Sequence, residues 1–357
     1  MPLTAGLIDR LRSRVPTPAA AYLPAPRRRR HIRARLDQNR IHGLSHLTRR
    51  GDPFECGTLW LAVEHLFATG QEQRLADLAP LAQMGSDFER AVFNALRTWV
   101  DGDADAALRT LHAIGCGDDF DPFERMGARG WAMFLEMPRM ETATAGPDAT
   151  TPVFQFWDSE HPPEDVARVM AEWQSLCGAR YLRFDDASAE QFLRDEFDAE
   201  TADRFRSARH PAIRSDYFRL GFLAARGGVY VDADSAMQPQ AKSFLAALSG
   251  RLALVFGSWR GGLHVQNGVL SAPAHEPLLE RSFVEAGHRL DAGGRPVQSL
   301  AGGHMLTDKA VGMARDGLLG RAVTLFSQQV RDFFARTAPA AYKTDHRNWR
   351  LWDAARA

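Results

Sequence analysis

The chain is poor in cysteine and has no long apolar run. Three cysteines lie far apart along 357 residues, at Cys56, Cys116 and Cys177. This spacing argues against a disulfide framework and a cysteine-based zinc site, and it is typical of free thiols in a reducing compartment. No apolar run approaches the ~20 residues that a membrane-spanning helix needs, and the N-terminus lacks the apolar core of a signal peptide. These absences predict a cytoplasmic protein.

The chain also lacks net charge. It has 44 basic and 44 acidic residues, so its formal net charge is zero, and nothing in the overall charge indicates a nucleic-acid partner. Lysine occurs only at Lys242, Lys309 and Lys343, so nearly all basic residues are arginines, which weakens a functional interpretation of arginine runs. The composition is 45% hydrophobic and 25% charged, which is ordinary for a soluble globular protein, and the length allows two domains.

Residues 1–50 form a basic segment that is densest between Arg27 and Arg35. Three interpretations compete. The first is a solvated helix face or tail, and the second is peripheral contact with an anionic membrane surface. The third, nucleic-acid binding, is disfavoured because no aromatic residues that stack on bases are interleaved with the arginines.

Residues 51–140 are predicted to form a helical accessory domain. Four stripes of apolar residues recur at helical spacing, with breaks at Gly70, Gly85 and Gly102. Such a domain either packs on a neighbouring domain or offers a surface for an acceptor or partner. Residues 138–151 are rich in Thr, Ala, Pro and Gly without periodicity, and they are predicted to be a linker.

From residue 151 to residue 357, predicted strands alternate with predicted helices. Strands are expected at 152–157 and 180–184, with helices after each. This alternation favours a parallel α/β sheet, in which ligands bind beyond the carboxyl ends of the strands. Trp157, Asp232 and Asp234 all lie at predicted strand ends.

The stretch from His210 to Met237 carries the strongest chemical pattern. A helix is predicted from Pro211, because proline suits a first helical position; Gly227 and Gly228 end it, and a short strand leads to Asp232 and Asp234. Aspartates two apart on a strand point to one side, where their oxygens suit Mg²⁺ or Mn²⁺. A D-x-D pair by itself is more often a polar loop, but this helix–glycine–strand context is much rarer.

This stretch resembles the glycosyltransferases with a DXD-containing sugar-binding region. That family includes initiating mannosyltransferases and capsular polysaccharide glycosyltransferases, and it is related to the glucosyltransferase domains of large clostridial toxins. The resemblance covers roughly residues 151–357 and implies a GT-A catalytic domain, a UDP- or GDP-sugar donor, and Mn²⁺ or Mg²⁺ as cofactor. The residues that carry it are Ser215, Asp216, Arg219, Gly227, Gly228, Tyr230, Asp232 and Asp234.

Other positions extend the resemblance. Trp157 follows the first strand, where the family places an aromatic residue that stacks on the nucleotide base. Asn267 matches an asparagine that hydrogen-bonds a sugar hydroxyl, although a strand-end turn explains it equally well. Residues 301–307 resemble a Gly-Pro-x-x-x-Thr element, with Gly303 in place of the proline, and this puts His304 and Thr307 near the acceptor.

The C-terminal segment resembles the family's closing tail, which folds over the donor in the toxins. The resemblance implies His346 as a metal ligand and Trp349 as a substrate-binding residue. Asn348 stands where serine is common, and its amide oxygen is a weaker ligand for these metals than a carboxylate.

These residues imply transfer of a hexose from a nucleotide-diphosphate sugar to an acceptor hydroxyl. Asp234, helped by Asp232, holds the metal that stabilises the leaving diphosphate, while Asp216 and Arg219 hold sugar hydroxyls and phosphate. The resemblance implies retention of anomeric configuration. Three hypotheses remain: synthesis of a bacterial polysaccharide or other glycan, O-glycosylation of a protein as by the toxins, and a non-catalytic nucleotide-sugar-binding scaffold.

Overall fold

The computed structural model describes residues 56–140, 150–259, 261–294 and 296–344. The chain divides into two compact units, residues 1–128 with 258–262, and residues 129–257 with 263–357. The basic segment around Arg27–Arg35 lies outside the described residues, as does most of the linker, so the interpretations of that segment stay predictions. No helix in the described ranges is long and apolar enough to cross a membrane.

The described part of the first unit is helical, and its helices follow the predicted apolar stripes and glycine breaks. The helix Asp87–Val100 is capped by the preceding residue Ser86, whose side chain accepts a hydrogen bond from Glu89 N while the Glu89 carboxylate accepts one from Ser86 N. This reciprocal cap satisfies two backbone donors that the helix start leaves open. The helices are α1 Cys56–Ala68, α2 Ala79–Ala82 after a 3₁₀ turn Glu72–Leu78, α3 Asp87–Val100, α4 Ala104–Cys116 and α5 Pro122–Glu136, which continues into the second unit.

The second unit alternates strands and helices. Its strands are β1 Val153–Phe156, β2 Tyr181–Phe184, β3 Gly228–Val231, β4 Ser235–Met237, β5 Ala253–Trp259, β6 Gly262–Val265, β7 Val269–Ala272, β8 Val323–Phe326 and β9 Ala335–Thr337. The tip of the β5–β6 connection belongs to the first unit. Its helices are α6 Glu164–Cys177, α7 Asp186–Glu196, α8 Ala199–Ser207, α9 Pro211–Arg226, α10 Ala241–Leu248, α11 Pro277–Ala292, α12 Val297–Leu300, α13 Gly303–Arg315 and α14 Ser327–Gln329.

The central sheet of the second unit is mixed rather than purely parallel. The strand order is β2-β1-β3-β7-β5-β6, and β8 also pairs with β5. The predicted parallel pairing is confirmed where β1 joins β2 and β3 and where β5 joins β8. Strand β7 departs from the predicted parallel pairing and runs antiparallel to both of its neighbours. The chain turns back after β5, and the connection from β5 to β6 is too short for the crossover that a parallel return needs.

Helix α9 is buried on almost every side, as its broad apolar surface predicts. Phe218 and Phe222 pack their rings on Phe154 of β1 and on Phe184 of β2. Gly227 ends the helix at φ +64°, where a Cβ would lie 2.4 Å from Ala274 N. Only glycine fits this combination of left-handed backbone and close approach.

Strand β3 separates the core from the candidate site. Val229 and Val231 belong to a cluster of buried apolar residues that includes Phe244 and Leu248 of α10. Because side chains alternate along a strand, Tyr230 points to the opposite face, where its ring packs on Phe154. The packing of Val229 and Val231 in the core therefore fixes the position of the strand that leads to Asp232.

Candidate active site

The acidic pair follows the end of a strand, as the sequence predicts, but it lies in a turn rather than in extended strand geometry. Strand β3 ends at Val231, and Asp232–Asp234 connects it to β4, with Ser235 N donating to Asp232 O at 2.9 Å. The expected alternation of a strand therefore does not place these side chains; the turn does. This corrects the predicted geometry of the pair, while both carboxylates still face one pocket.

The turn is fixed by hydrogen bonds to its backbone. Asp232 N donates to Gly268 O at 2.9 Å, and buried Gln155 of β1 donates through Nε2 to Asp232 O at 3.1 Å. The indole Nε1 of Trp173 donates to Ser235 O at 2.7 Å. Buried carbonyl and amide groups without such partners would be costly, so these bonds hold the two aspartates in one orientation.

The pocket is a cavity of about 310 Å³ within the second unit, beyond the carboxyl ends of β1 and β3. It gathers eight of the predicted site residues, which the chain separates by up to 110 positions. Its walls are formed by Phe156, Trp157, Asp158, Pro211, Ala212, Ser215, Asp216, Arg219, Tyr230, Asp232, Ala233, Asp234, Asn267, Val297, Gln298, Thr337, Tyr342 and Lys343.

Arg219 is the buried centre of the charge network. Its Nη2 lies 3.0 Å from Asp216 Oδ1 and 3.3 Å from Asp232 Oδ1, and it also donates to Ser215 Oγ. Its Nε donates to Ser215 O and its Nη1 to Asn267 O. In this conformation all three guanidinium nitrogens bond protein groups, and the two-point contact with a phosphate stays a prediction.

Asp216 faces the pocket from α9 as a strongly buried carboxylate. Its Oδ1 accepts a hydrogen bond from Asn267 Nδ2 at 2.9 Å as well as the contact from Arg219. Burial raises the pKa of Asp216 to about 6, against the lowering effects of Arg219 and Asn267. Asn267 itself lies in the link between β6 and β7 and lines the pocket, so both interpretations of this residue stay predictions.

Oδ1 of Asp232 contacts the side chains of Tyr230 and Arg219. Tyr230 Oη donates to Asp232 Oδ1 at 2.9 Å and lies 3.0 Å from Ser215 Oγ. The Arg219 guanidinium lies over the Tyr230 ring at 4.0 Å, a favourable cation–π contact. Desolvation raises the pKa of Asp232; Arg219 lowers it and the neighbouring Asp234 carboxylate raises it further.

Asp234 is contacted by a turn near the end of the described chain. Tyr342 Oη donates to Asp234 Oδ2 at 2.7 Å, and the Lys343 ammonium lies 2.6 Å from the same oxygen. Tyr342 also sets its ring edge against Trp157, with centroids 5.1 Å apart at 76°. Trp157 thus lines the pocket beside Asp234 with its indole partly covered by Tyr342.

The two aspartates fit a divalent cation of the magnesium class. Such ions bind carboxylate oxygens, commonly one or two from the protein with the rest from water and substrate phosphate. Asp232 and Asp234 offer two carboxylates from the same turn on the wall of the pocket. The Asp232 side chain keeps 38% of its surface exposed. Across the described ranges, no group of three or more His, Cys, Asp or Glu side chains is placed to hold a metal.

Two predicted site residues, His346 and Trp349, lie beyond the described residues, which end at 344. Their predicted roles therefore stay predictions.

The two residues that the sequence puts near the acceptor, His304 and Thr307, lie on α13. Thr307 is buried: its Oγ1 accepts a hydrogen bond from Val265 N and donates one to Gly303 O. Neither His304 nor Thr307 lines the pocket, so the structure does not bring them to the other site residues.

Sequence reasoning did not single out Gln298, Thr337, Tyr342 or Lys343 as pocket residues. Gln298 Oε1 accepts from Gly303 N at 3.0 Å, which ties α12 to the start of α13. A signal for one of them was present: lysine is rare in this chain, and Lys343 falls within the C-terminal segment that resembles the closing tail.

The family comparison agrees with the position of this site. The matching model is described as "Glycosyltransferase sugar-binding region containing DXD motif", and the match spans residues 147–247. Residues 147–247 carry a glycosyltransferase sugar-binding region. This region contributes most walls of the pocket, from Trp157 to Asp234, while Asn267, Gln298 and Lys343 come from beyond it.

No curated protein matches the chain. Among solved structures, the chain is similar to "PaToxG Glycosyltransferase", with a TM-score of 0.35 and 11% sequence identity, over 62% of this chain and 90% of that chain. A TM-score of this size does not establish a shared fold.

Proposed function

We propose that the protein is a metal-dependent glycosyltransferase that takes a hexose from a UDP- or GDP-sugar and retains its anomeric configuration. The observation that carries this proposal is the convergence of Asp216, Asp232 and Asp234 on one cavity that lies within and beside the sugar-binding region. The GT-A classification rests on the sequence resemblance and on the position of this cavity beyond the carboxyl ends of β1 and β3.

The charges of the pocket suit a diphosphate leaving group. Asp232 and Asp234 would hold Mn²⁺ or Mg²⁺, which when bound neutralises the negative charge that develops on the diphosphate. Arg219 contacts both Asp216 and Asp232 and so fixes the positions of their carboxylates. Its side chain is buried and is held in this position. In this role, Arg219 positions acidic groups and does not itself bind phosphate.

Asp216 and Trp157 are the groups that we assign to the donor's two ends. Asp216 would offer Oδ2 to a sugar hydroxyl, since its contacts with Arg219 and Asn267 fall on Oδ1. Trp157 offers an indole on the wall of the same pocket, where a nucleotide base can stack for ~1–3 kcal/mol. The acceptor that we propose is a glycan hydroxyl in bacterial polysaccharide synthesis, with a protein hydroxyl as the alternative.

Donor hydrolysis tests the proposal. A panel of UDP- and GDP-sugars is offered with Mn²⁺, and nucleotide release is followed for the wild type, for Asp234→Asn and for Asp119→Asn. Asp119 is exposed and lies in the first unit, so its variant controls for loss of one carboxylate. We expect one nucleotide to be released by the wild type and the control, with release lost in Asp234→Asn and on chelation.

Two results would contradict this proposal. Release that survives both chelation and Asp234→Asn would exclude a metal held at this turn. No release from any donor, together with no rise in melting temperature on adding Mn²⁺ and UDP or GDP, would leave a scaffold without nucleotide binding, because a ligand that binds only the folded state must raise the melting temperature.

A further inference from the structure

Lys343 stands on the short turn that closes one side of the pocket. This 3₁₀ turn, Ala341–Thr344, is tied down by a hydrogen bond from Ala341 N to Asp165 Oδ2 at 2.8 Å. The Tyr342 ring packs on Trp157, and the Lys343 ammonium reaches Asp234 Oδ2 and Ala338 O. The turn therefore places a cation directly on a carboxylate of the proposed metal site.

The side chains that line the pocket carry more negative than positive charge, although a nucleotide donor brings negatively charged phosphates. The described walls carry four aspartates, at 158, 216, 232 and 234, against Arg219 and Lys343. A nucleoside diphosphate adds further negative charge, which this surplus of carboxylates opposes. Arg219 is held in place by bonds from each of its three nitrogens to protein groups in a buried position.

Lys343 differs from Arg219 in both exposure and freedom. Its side chain keeps 30% of its surface exposed, and an ammonium on a flexible four-carbon stem can reorient all of its donors. Among the described residues that line the pocket, it is the cation able to change partner without breaking the network behind the aspartates.

The contact with Asp234 also conflicts with metal binding. A magnesium-class ion binds a carboxylate oxygen at about 2.1 Å, while the ammonium lies 2.6 Å from Asp234 Oδ2. Two cations so close on one oxygen repel each other strongly. A divalent ion that binds through Oδ2 would therefore displace Lys343 from this oxygen.

We propose that Lys343 is a donor-binding residue that exchanges partners: it pairs with Asp234 in the empty pocket and moves to the diphosphate of the donor when Asp234 binds the metal. This inference rests on the proposed function of the site. It makes Lys343 both a competitor of the free metal and a ligand of the nucleotide, so its removal has opposite effects on two measurable affinities.

Two binding measurements on Lys343→Gln test the exchange. Mn²⁺ alone is titrated into the protein and followed by electron paramagnetic resonance; the variant is expected to bind Mn²⁺ about tenfold more tightly, because no ammonium competes for Asp234. UDP and GDP are then titrated at saturating Mn²⁺ in a calorimeter; the variant is expected to bind the preferred nucleotide at least tenfold more weakly.

Lys309→Gln is the matched control, since Lys309 pairs with Glu285 on α11 away from the pocket, and it should leave both affinities unchanged. An unchanged nucleotide affinity in Lys343→Gln overturns the proposal, whatever happens to Mn²⁺, and so does an unchanged or weaker Mn²⁺ affinity. In those cases the proposed function stands, provided that the wild type binds Mn²⁺ and nucleotide. If the wild type binds neither UDP nor GDP, the proposed function fails and the exchange fails with it.

Discussion

Substituting Gly268 by alanine would move one carboxylate oxygen of the proposed site with little other disturbance. A Cβ at Gly268 would lie 2.8 Å from Asp232 Oδ2, and ordinary contact begins at 3.4 Å. The oxygen must therefore retreat by about 0.6 Å, because closer contacts are repulsive. The neighbour that must move is the end of a side chain rather than backbone, and Gly268 does not adopt a positive φ.

A shift of Asp232 Oδ2 also moves Oδ1, because the two oxygens belong to one rigid carboxylate group. Oδ1 of Asp232 is held by Tyr230 Oη at 2.9 Å and by Arg219 at 3.3 Å, so Oδ2 cannot retreat without turning the group against these bonds. Misplacements on the order of 1 Å cost about 100-fold in rate when geometry is demanding. We expect Gly268→Ala to lower nucleotide release by about 10- to 100-fold and to weaken Mn²⁺ binding.

Stability separates this effect from misfolding. Alanine in place of a glycine with an ordinary φ stabilises by about 0.4–1 kcal/mol through the unfolded chain, which should offset part of the local strain, so the urea midpoint should stay close to the wild-type value. Gly312→Ala on α13 is the control, since a Cβ there meets nothing within 4 Å. Full nucleotide release and unchanged Mn²⁺ affinity in Gly268→Ala would refute the view that Asp232 Oδ2 must hold its observed position.

Two further predictions concern the buried charges. Arg219→Met should lower the free energy of unfolding by about 3–5 kcal/mol, because it leaves carboxylates buried without their partner; adding Asp216→Asn should recover part of this loss in urea denaturation, and equal losses in the single and double variants would contradict it. Metal-free wild type should lose about 1 kcal/mol relative to Asp216→Asn between pH 5 and pH 7.5. The sign follows because burial raises the pKa of Asp216 from 3.8 to about 6, so its stabilisation is complete below pH 3.8 and is lost as the pH rises through 6; a parallel pH profile of the two proteins would contradict it.

Much of the local structure follows from the sequence because its causes are local. Helix α9 could be predicted from Pro211, from the apolar positions that follow at helical spacing, and from Gly227. The same spacing put Ser215, Asp216 and Arg219 on one face, and the structure has all three on the pocket wall. The short strand before Asp232 was readable from its β-branched and aromatic residues.

Other features were out of reach because they depend on distant partners. The turn at Asp232–Asp234 is fixed by hydrogen bonds with the side chain of Gln155 and with the backbone of Gly268. Both residues are distant in the sequence, so the residues around the turn do not predict these bonds. The antiparallel pairing of β7 with β3 and β5 joins strands that are separate in the sequence, so the local pattern does not predict it. Asn267 illustrates both limits: its link position was one of two open readings, while its bond to Asp216 spans 51 residues.

The sequence by itself determined the elements of this protein and the chemistry of its acidic residues, since periodicity, glycine stops and the D-x-D pair act over a few neighbouring positions. Only the tertiary structure decided which charges meet. Arg219 lies as a buried bridge between Asp216 and Asp232, and Lys343 contacts Asp234, which is 109 positions earlier in the chain. Such pairings depend on the packing of the whole unit, where the cost of burying a charge without a partner selects the contacts that form.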